Sequence, residues 1–295
     1  MEKIKVAIIG TGNIGTDILI KLQRSEFLEC SMFVGKNSNS KNLDIARQLG
    51  VETSTKSIKV ILENPECCEI VFDATSANAH IIHAPLLKKI GKYVIDLTPS
   101  HIGTMCIPSI NSEECLNVQN INLVTCGGQS TIPIVYAISR VCDDIEYIET
   151  VSAISSKSAG AGTRDNIDEY IETTSAALSY FSGVKNTKAM IVLNSAEPPI
   201  NMRNTIYIKV KNPCMKKVEE AIIKIEKSLQ NYVPGYKIIV GPLLMDDIIT
   251  VTLEVCGLGD FIPQYSGNLD IITCAAIEMA ERYARRIIGK EGWLF

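Results

Sequence analysis

Lys3-Ile4-Lys5-Val6-Ala7-Ile8-Ile9-Gly10-Thr11-Gly12-Asn13-Ile14-Gly15 is the stretch that decides the fold. It opens with a short apolar run ending in glycine, the signature of a strand buried in a parallel sheet. Gly10, Gly12 and Gly15 form a complete G-x-G-x-x-G, after which Ile14, Ile18, Leu19 and Leu22 recur on one helical face. In a turn of this kind the first glycine makes the tight bend, the second admits a pyrophosphate against the backbone, and the third lets helix and strand pack closely. The helix N-terminus adds N–H groups and a positive dipole end for phosphate. Gly10, Thr11, Gly12, Asn13, Ile14 and Gly15 are therefore the first candidate cofactor-binding residues.

Outward from this turn, residues 28–34 read as a strand, 43–49 as a helix, 70–72 as a strand, 81–90 as a helix and 93–97 as a strand. Such alternation makes βαβ units, so the chain reads as an α/β protein with an N-terminal Rossmann-type, doubly wound parallel sheet. Beyond residue 127 the texture changes. Helical patterns at 130–141, 167–181 and 218–229 lie among strand patterns at 147–155, 189–193, 205–210, 236–240 and 248–255. That half predicts an α+β domain with its helices on one face of the sheet. A long amphipathic pattern at 268–288 is expected to return to the first domain. The expected division is residues 1–127, completed by the C-terminal helix 268–295, as a dinucleotide-binding domain, and 128–267 as a catalytic and dimerisation domain.

Composition narrows the partners. Of 295 residues, 46% are hydrophobic and 21% charged, ordinary for a globular α/β protein, and the formal net charge of −4 argues against nucleic acid. No apolar run approaches the roughly 18 residues that span a bilayer. The chain enters its first strand with no cleavable signal pattern, and a cytoplasmic protein is the simplest reading. The ten cysteines contain no Cys-x-x-Cys, and the three histidines, His80, His83 and His101, have no zinc-site spacing. Neither a disulfide framework nor a metal site is expected. His80 and His83 read as surface or capping residues, and Asp96 as a structural acceptor at the sheet's carboxyl edge.

The second strand leaves the nucleotide open between NAD and NADP. An acid at its end would take the ribose 2′-hydroxyl of NAD, but the chain there runs Phe33-Val34-Gly35-Lys36-Asn37-Ser38-Asn39-Ser40. Lys36 reads equally well as a ligand of the NADP 2′-phosphate and as a solvated loop lysine.

Val124-Thr125-Cys126-Gly127-Gly128-Gln129 places a cysteine between a strand end and a helix start, where the helix dipole is expected to favour thiolate. The glycines leave room for a substrate carbonyl and for backbone donors to its oxyanion. The alternative at this point is a buried cysteine before a turn.

The chain resembles the acylating acetaldehyde dehydrogenases, partners of 4-hydroxy-2-oxovalerate aldolase in aromatic catabolism. The matching stretches are VAIIGTGNIGTD, VFDATSANAH, IDLTPS, VTCGGQSTIP, SSKSAGAGTRDNIDEYIETTS, AEPPINMRNT, YVPGY and YSGNLDI, in order through nearly the whole chain. The resemblance implies a semialdehyde-dehydrogenase-like fold with Cys126 as acyl-thioester nucleophile and coenzyme A as co-substrate. It implies nicotinamide-cofactor contacts from Thr11, Gly12, Asn13 and Ile14, from Ser158, Ala159, Gly160, Ala161, Gly162, Thr163, Arg164, Asp165 and Asn166, and from Asn268. It also implies a homodimer or an aldolase complex. Residues 158–163 are a small-residue loop ahead of a helix, which suits close ligand approach; a surface loop is the plain alternative.

Two features depart from the family. Arg203-Asn204-Thr205 stands where relatives usually have Arg-Asp-Thr, and an amide cannot serve as the base proposed for that aspartate. The stretch between Tyr236 and Asp247 is shorter than in relatives. The implied activity is interconversion of a short aldehyde, acetaldehyde or propanal, with its acyl-CoA. The alternatives are a reductase of a bulkier acyl-CoA, a phosphorylating semialdehyde dehydrogenase, and a weakly active or non-catalytic aldolase partner.

Overall fold

The computed structural model describes residues 3–38, 40–160, 163, 164 and 166–289, and the chain divides into two compact units, residues 1–123 with 273–295 and residues 124–272. In the first unit, the strands among the described residues are β1 (Ile4–Ile9), β2 (Leu28–Val34), β3 (Glu52–Ser54), β4 (Ile70–Asp73), β5 (Tyr93–Asp96), β6 (Thr104–Met105) and β7 (Asn120–Asn122). They form one parallel sheet in the order β3-β2-β1-β4-β5-β7-β6. The helices are α1 (Asn13–Leu22), α2 (Lys41–Gln48), α3 (Lys59–Glu63), α4 (Ala77–Lys89) and α5 (Pro108–Cys115). The central strands are apolar without alternation because both faces are covered: Val6 to Ile9, Ile70 to Phe72 and Val94 to Ile95 are all buried.

Order reverses on either side of β1, the switch point at which a doubly wound sheet opens a crevice at its carboxyl edge. The expected Rossmann-type sheet is thus present. Sequence periodicity did not identify β3, β6, β7, α3 or α5, all short pieces.

The second unit holds α6 (Cys126–Ser139), β8 (Ile145–Ser155), α7 (Ile167–Ser182), β9 (Thr187–Asn194), β10 (Met202–Val210), α8 (Met215–Gln230), β11 (Tyr236–Met245) and β12 (Ile248–Val255). Its mixed sheet runs β11-β12-β10-β8-β9, with β8 and β9 parallel and the other pairs antiparallel. Strict alternation in β10 and β12 buries Ile206, Ile208, Ile249, Val251 and Leu253 on the face that carries α6, α7 and α8. Tyr236 ties β11 to α6 by donating its hydroxyl to the Ser130 carbonyl at 2.8 Å. The stretch read as shortened is a tight hairpin, with Asp246 and Asp247 both at positive φ between β11 and β12.

The opposite face of this sheet is open among the described residues. By register, Val240, Leu243 and Met245 of β11 stand on it beside Thr252, Thr250 and Ile248, together with Tyr207 of β10 and Met190 and Val192 of β9. Leu243 and Met245 are 57% and 69% exposed, so an apolar surface faces outward here.

The last helix, α9 (Gly267–Ile287), begins in the second unit, and its greater part belongs to the first. There Thr273 donates to Asp17 at 2.6 Å, Ser25 donates to Glu281 at 2.6 Å, Arg282 donates to Ser112 at 2.8 Å, and Tyr283 stacks on Tyr93 at 4.0 Å.

Candidate active site

The chain leaves the first sheet through Val124, which is buried and held at φ +60°, a costly conformation for a β-branched residue. The bend delivers Thr125 as the N-cap of α6, its Oγ1 accepting the Gly128 N–H at 2.9 Å, and makes Cys126 the first helical residue. The backbone N–H groups of Cys126 and Gly127 favour charge on the sulfur. Burial nevertheless pushes the thiol up to about 11, against the lowering by those N–H groups and by the Tyr170 hydroxyl. This corrects the expectation of a thiolate favoured by the helix dipole, because loss of solvation outweighs the dipole in the enclosed turn.

Three side chains around this turn escaped the sequence reading or were read differently. Tyr170, on the first turns of α7, is buried and makes no hydrogen bond of ordinary geometry through its hydroxyl. A Cβ added at Gly127 would stand 1.8 Å from that hydroxyl and 2.8 Å from Ser152 Oγ, so glycine is what allows both groups to come close. Ser152 is paired across the ladder with Asn204. Asn204 is fully buried, and neither its amide nitrogen nor its oxygen has a hydrogen-bond partner, an arrangement costing about 1–3 kcal/mol per group unless something satisfies it. Tyr170 follows the apolar period of α7 and reads as packing in sequence; only the fold brings it to Cys126.

Residues 158–166 lie in the same unit. Ser158 and Ala159 are buried and Gly160 is exposed, with nothing within 4 Å of where its Cβ would stand. Arg164 braces this loop, donating to Ala159 O, Ser156 O and Ser156 Oγ at 2.9–3.0 Å, and its N–H bonds Gly160 O at 3.1 Å. Thr163 is partly buried and Asn166 N-caps α7. Ala161, Gly162 and Asp165 lie outside the described residues. Asn268, in the first turn of α9, is buried with its side-chain oxygen unpartnered.

In the first unit, the glycine turn behaves as its spacing requires. Gly10 sits at φ +118°, and a Cβ there would meet Ala74 O at 2.4 Å; one at Gly15 would meet Gly10 O at 1.9 Å. At Gly12 nothing lies within 4 Å, so that space is free for a group bound from outside. Gly12 caps α1 without a side-chain hydrogen bond, leaving its first N–H groups for an anion. Asn42 holds the turn by donating to Thr11 O at 2.7 Å. These residues fit a dinucleotide pyrophosphate. Lys36 is exposed.

Beside this turn, the ends of β4 and β5 carry a buried polar network. Asp73 Oδ2 is hydrogen-bonded to His80 Nδ1 at 2.9 Å and His83 Nδ1 at 2.8 Å, and His80 Nε2 lies 3.5 Å from Asp96. Asp96 also accepts from Ser100, the Thr98 N–H and Asn122. The expectation that both histidines lie at the surface is therefore corrected: they occupy the inner face of α4, while its Ile81 and Ile82 face out. Asp96 has the structural acceptor role read from its position. Burial pushes Asp73 up, but hydrogen bonds from His80, His83 and Thr75 outweigh it and hold the carboxyl at about 2. Burial likewise opposes charge on His80, yet Asp73 and Asp96 raise its pKa above the ordinary histidine value.

Among the described residues no helix is long and apolar enough to cross a membrane. A family model described as "Semialdehyde dehydrogenase, NAD binding domain" matches residues 5–118, and one described as "Prokaryotic acetaldehyde dehydrogenase, dimerisation" matches residues 126–263. An acetaldehyde dehydrogenase of Spirochaeta aurantia is 51% identical over 284 residues, 96% of each chain. One from Pectobacterium atrosepticum is 50% identical over 291 residues, 98% of each. A crystal structure of aspartate semialdehyde dehydrogenase II from Vibrio cholerae aligns with a TM-score of 0.65 at 15% identity, over 99% of this chain and 100% of that one, which shows the shared fold.

Proposed function

This chain belongs to the acetaldehyde dehydrogenase family and is an oxidoreductase, and we propose that it interconverts acetaldehyde or propanal with the corresponding acyl-CoA through a thioester on Cys126. The observation that carries this reading is a half-buried cysteine standing as the first residue of a Thr125-capped helix and followed by two glycines.

In the reductive direction the Cys126 thiolate attacks the acyl-CoA carbonyl, the CoA thiolate leaves, and the acyl group becomes a thioester of the enzyme. In the oxidative direction the same thiolate adds to the aldehyde, and exchange with CoA thiol ends the cycle. The first-turn N–H groups of α6 favour negative charge on sulfur and on the carbonyl oxygen under attack. The nicotinamide cofactor, NAD or NADP, supplies the two-electron exchange. On this reading residues 10–15 hold its pyrophosphate, and the resemblance alone assigns Ser158, Ala159, Gly160, Thr163, Arg164, Asn166 and Asn268 to the same cofactor. The unpartnered oxygen of buried Asn268 supports that assignment. Asn204 takes no proton, so the thiol must be activated by its surroundings.

We further assign a homodimer through the open apolar face of the second sheet, around Tyr207, Leu243 and Met245, and, from the resemblance, an aldolase of the 4-hydroxy-2-oxovalerate type as the source of aldehyde. The test is NADH and NADPH consumption with acyl-CoAs of increasing size. Turnover with acetyl- or propionyl-CoA, reduced at least a thousandfold in Cys126→Ser, is expected. A preference for bulkier thioesters would move the chain to the alternative acyl-CoA reductase, and full activity in Cys126→Ser would remove the thioester mechanism.

A further inference from the structure

We propose that Tyr170 is the positioning residue of the Cys126 thiol: its hydroxyl, brought close by Gly127 and backed by Ser152, donates a hydrogen bond to the sulfur and stabilises the reactive thiolate. The proposal rests on the reading of Cys126 as nucleophile and goes beyond it by saying what activates a thiol that burial makes weakly acidic.

Four observations lead to it. First, the influences that act on the Cys126 sulfur are burial, two backbone N–H groups and Tyr170; none is a charged side chain. Second, the groups around the turn come from three elements, Tyr170 from α7, Ser152 from β8 and its cross-strand neighbour Asn204 from β10, and none of them is a carboxylate or a histidine. No base faces the thiol from these positions, so the help available to it is donation of a hydrogen bond. Third, Tyr170 has a hydroxyl to spare: it is 6% exposed, and its hydroxyl makes no hydrogen bond of ordinary geometry. Burial and the neighbouring sulfur push its own pKa up, so the phenol keeps its proton and is available as a donor, and Ser152 Oγ stands beside it over Gly127.

Fourth, the position is braced. Thr174, one turn further along α7, donates its hydroxyl to Tyr170 O at 2.6 Å, and its Oγ1 lies 2.7 Å from Oγ1 of Thr125, the residue that caps the helix carrying Cys126. The turn of α7 that carries Tyr170 is thus tied to the α6 start through Thr174 and Thr125, with the phenol lying against Gly127, the residue next to Cys126. A neutral donor at this place favours the charged sulfur over the neutral thiol, because a hydrogen bond to an ion is stronger than one between neutral groups.

The experiment is the pH dependence of iodoacetamide labelling at Cys126, read by peptide mass mapping because the chain has nine other cysteines, in wild type, Tyr170→Phe and Ser152→Ala. Tyr170→Phe is expected to move the labelling midpoint up by about one pH unit, so that labelling slows about tenfold on the rising limb. In acyl-CoA reduction it should lower kcat about tenfold with KM changed less than twofold. Ser152→Ala should move the midpoint in the same direction by less. An unchanged labelling profile in Tyr170→Phe overturns the proposal. If that variant fails to fold in a thermal melt, an unchanged profile in Ser152→Ala overturns it instead. Labelling needs no turnover: a wild type silent toward every acyl-CoA would defeat the proposed function, while the labelling shift would still decide the role of Tyr170.

Discussion

Gly12 and Gly15 stand three residues apart in one turn and are glycine for different reasons. At Gly15 a Cβ would collide with the Gly10 carbonyl at 1.9 Å, a backbone atom that cannot move aside cheaply, so this glycine is required by the fold itself. At Gly12 the space is empty and the requirement comes from what binds there. Gly12→Ala is therefore expected to keep wild-type stability within about 0.5 kcal/mol while weakening NADH binding about tenfold or more in a fluorescence titration. Gly15→Ala is expected to lose stability in urea denaturation. Equal NADH affinity in Gly12→Ala and wild type would contradict the assigned pyrophosphate site. These residues were legible in sequence because their tasks depend on spacing along one short segment. Cys126 was legible for the same reason, as a cysteine followed by two glycines at a helix start. The acidity of its thiol is not legible there, since the dipole is a local property and burial a property of the fold. Tyr170 and Ser152 were invisible as site residues because a helix start and a ladder register bring them to Cys126 from 44 and 26 positions away.

At the scale of elements, α4 is the instructive case. Its Ser76 cap, accepting the Ala79 N–H, and its placement between two strands follow from the sequence, but which face turns inward does not. The histidines go in and Ile81 and Ile82 go out, because Asp73 and Asp96, neighbours across β4 and β5, form an acidic strand edge that needs donors. Replacing Asp73 by Asn would leave two buried histidines short of their carboxylate and should cost about 3 kcal/mol. The pH dependence has a definite sign. The pKa of His80 is raised in the folded state, so its stabilising contribution is complete below the unfolded histidine value of about 6.5 and is lost as pH rises through the folded value. Urea denaturation of wild type should show stability falling above neutral pH, with a shallower fall in His80→Gln. Equal slopes would show that His80 does not carry charge into the core. The strands and helices missed in sequence, β3, β6, β7, α3 and α5, are two to eight residues long and hold too few periods to be recognised.

At the scale of the molecule, the chain joins two units with different rules of burial. The parallel sheet of the first is covered on both faces, which is why its strands read as unbroken apolar runs. The sheet of the second is covered on one face by α6, α7 and α8, and its other face exposes Tyr207, Leu243 and Met245 where solvent-facing strands are usually polar. Such a surface fits a partner of like character, and the family model matched over this unit is described by dimerisation. The sequence pattern disclosed the alternation but not that both faces of β11 are apolar, because strand order and the hairpin register decide which residues share the outer face. The proposed activity depends on covalent chemistry at one atom, the Cys126 sulfur, and trapping the acyl group there tests it most directly. Wild-type protein mixed with acetyl-CoA in the absence of nicotinamide cofactor and quenched in acid should gain the mass of one acetyl group, mapped by peptide mass spectrometry to Cys126 and removed by hydroxylamine, while Cys126→Ser gains none. An acetyl group found on another cysteine, or the same gain in Cys126→Ser, would contradict the thioester mechanism.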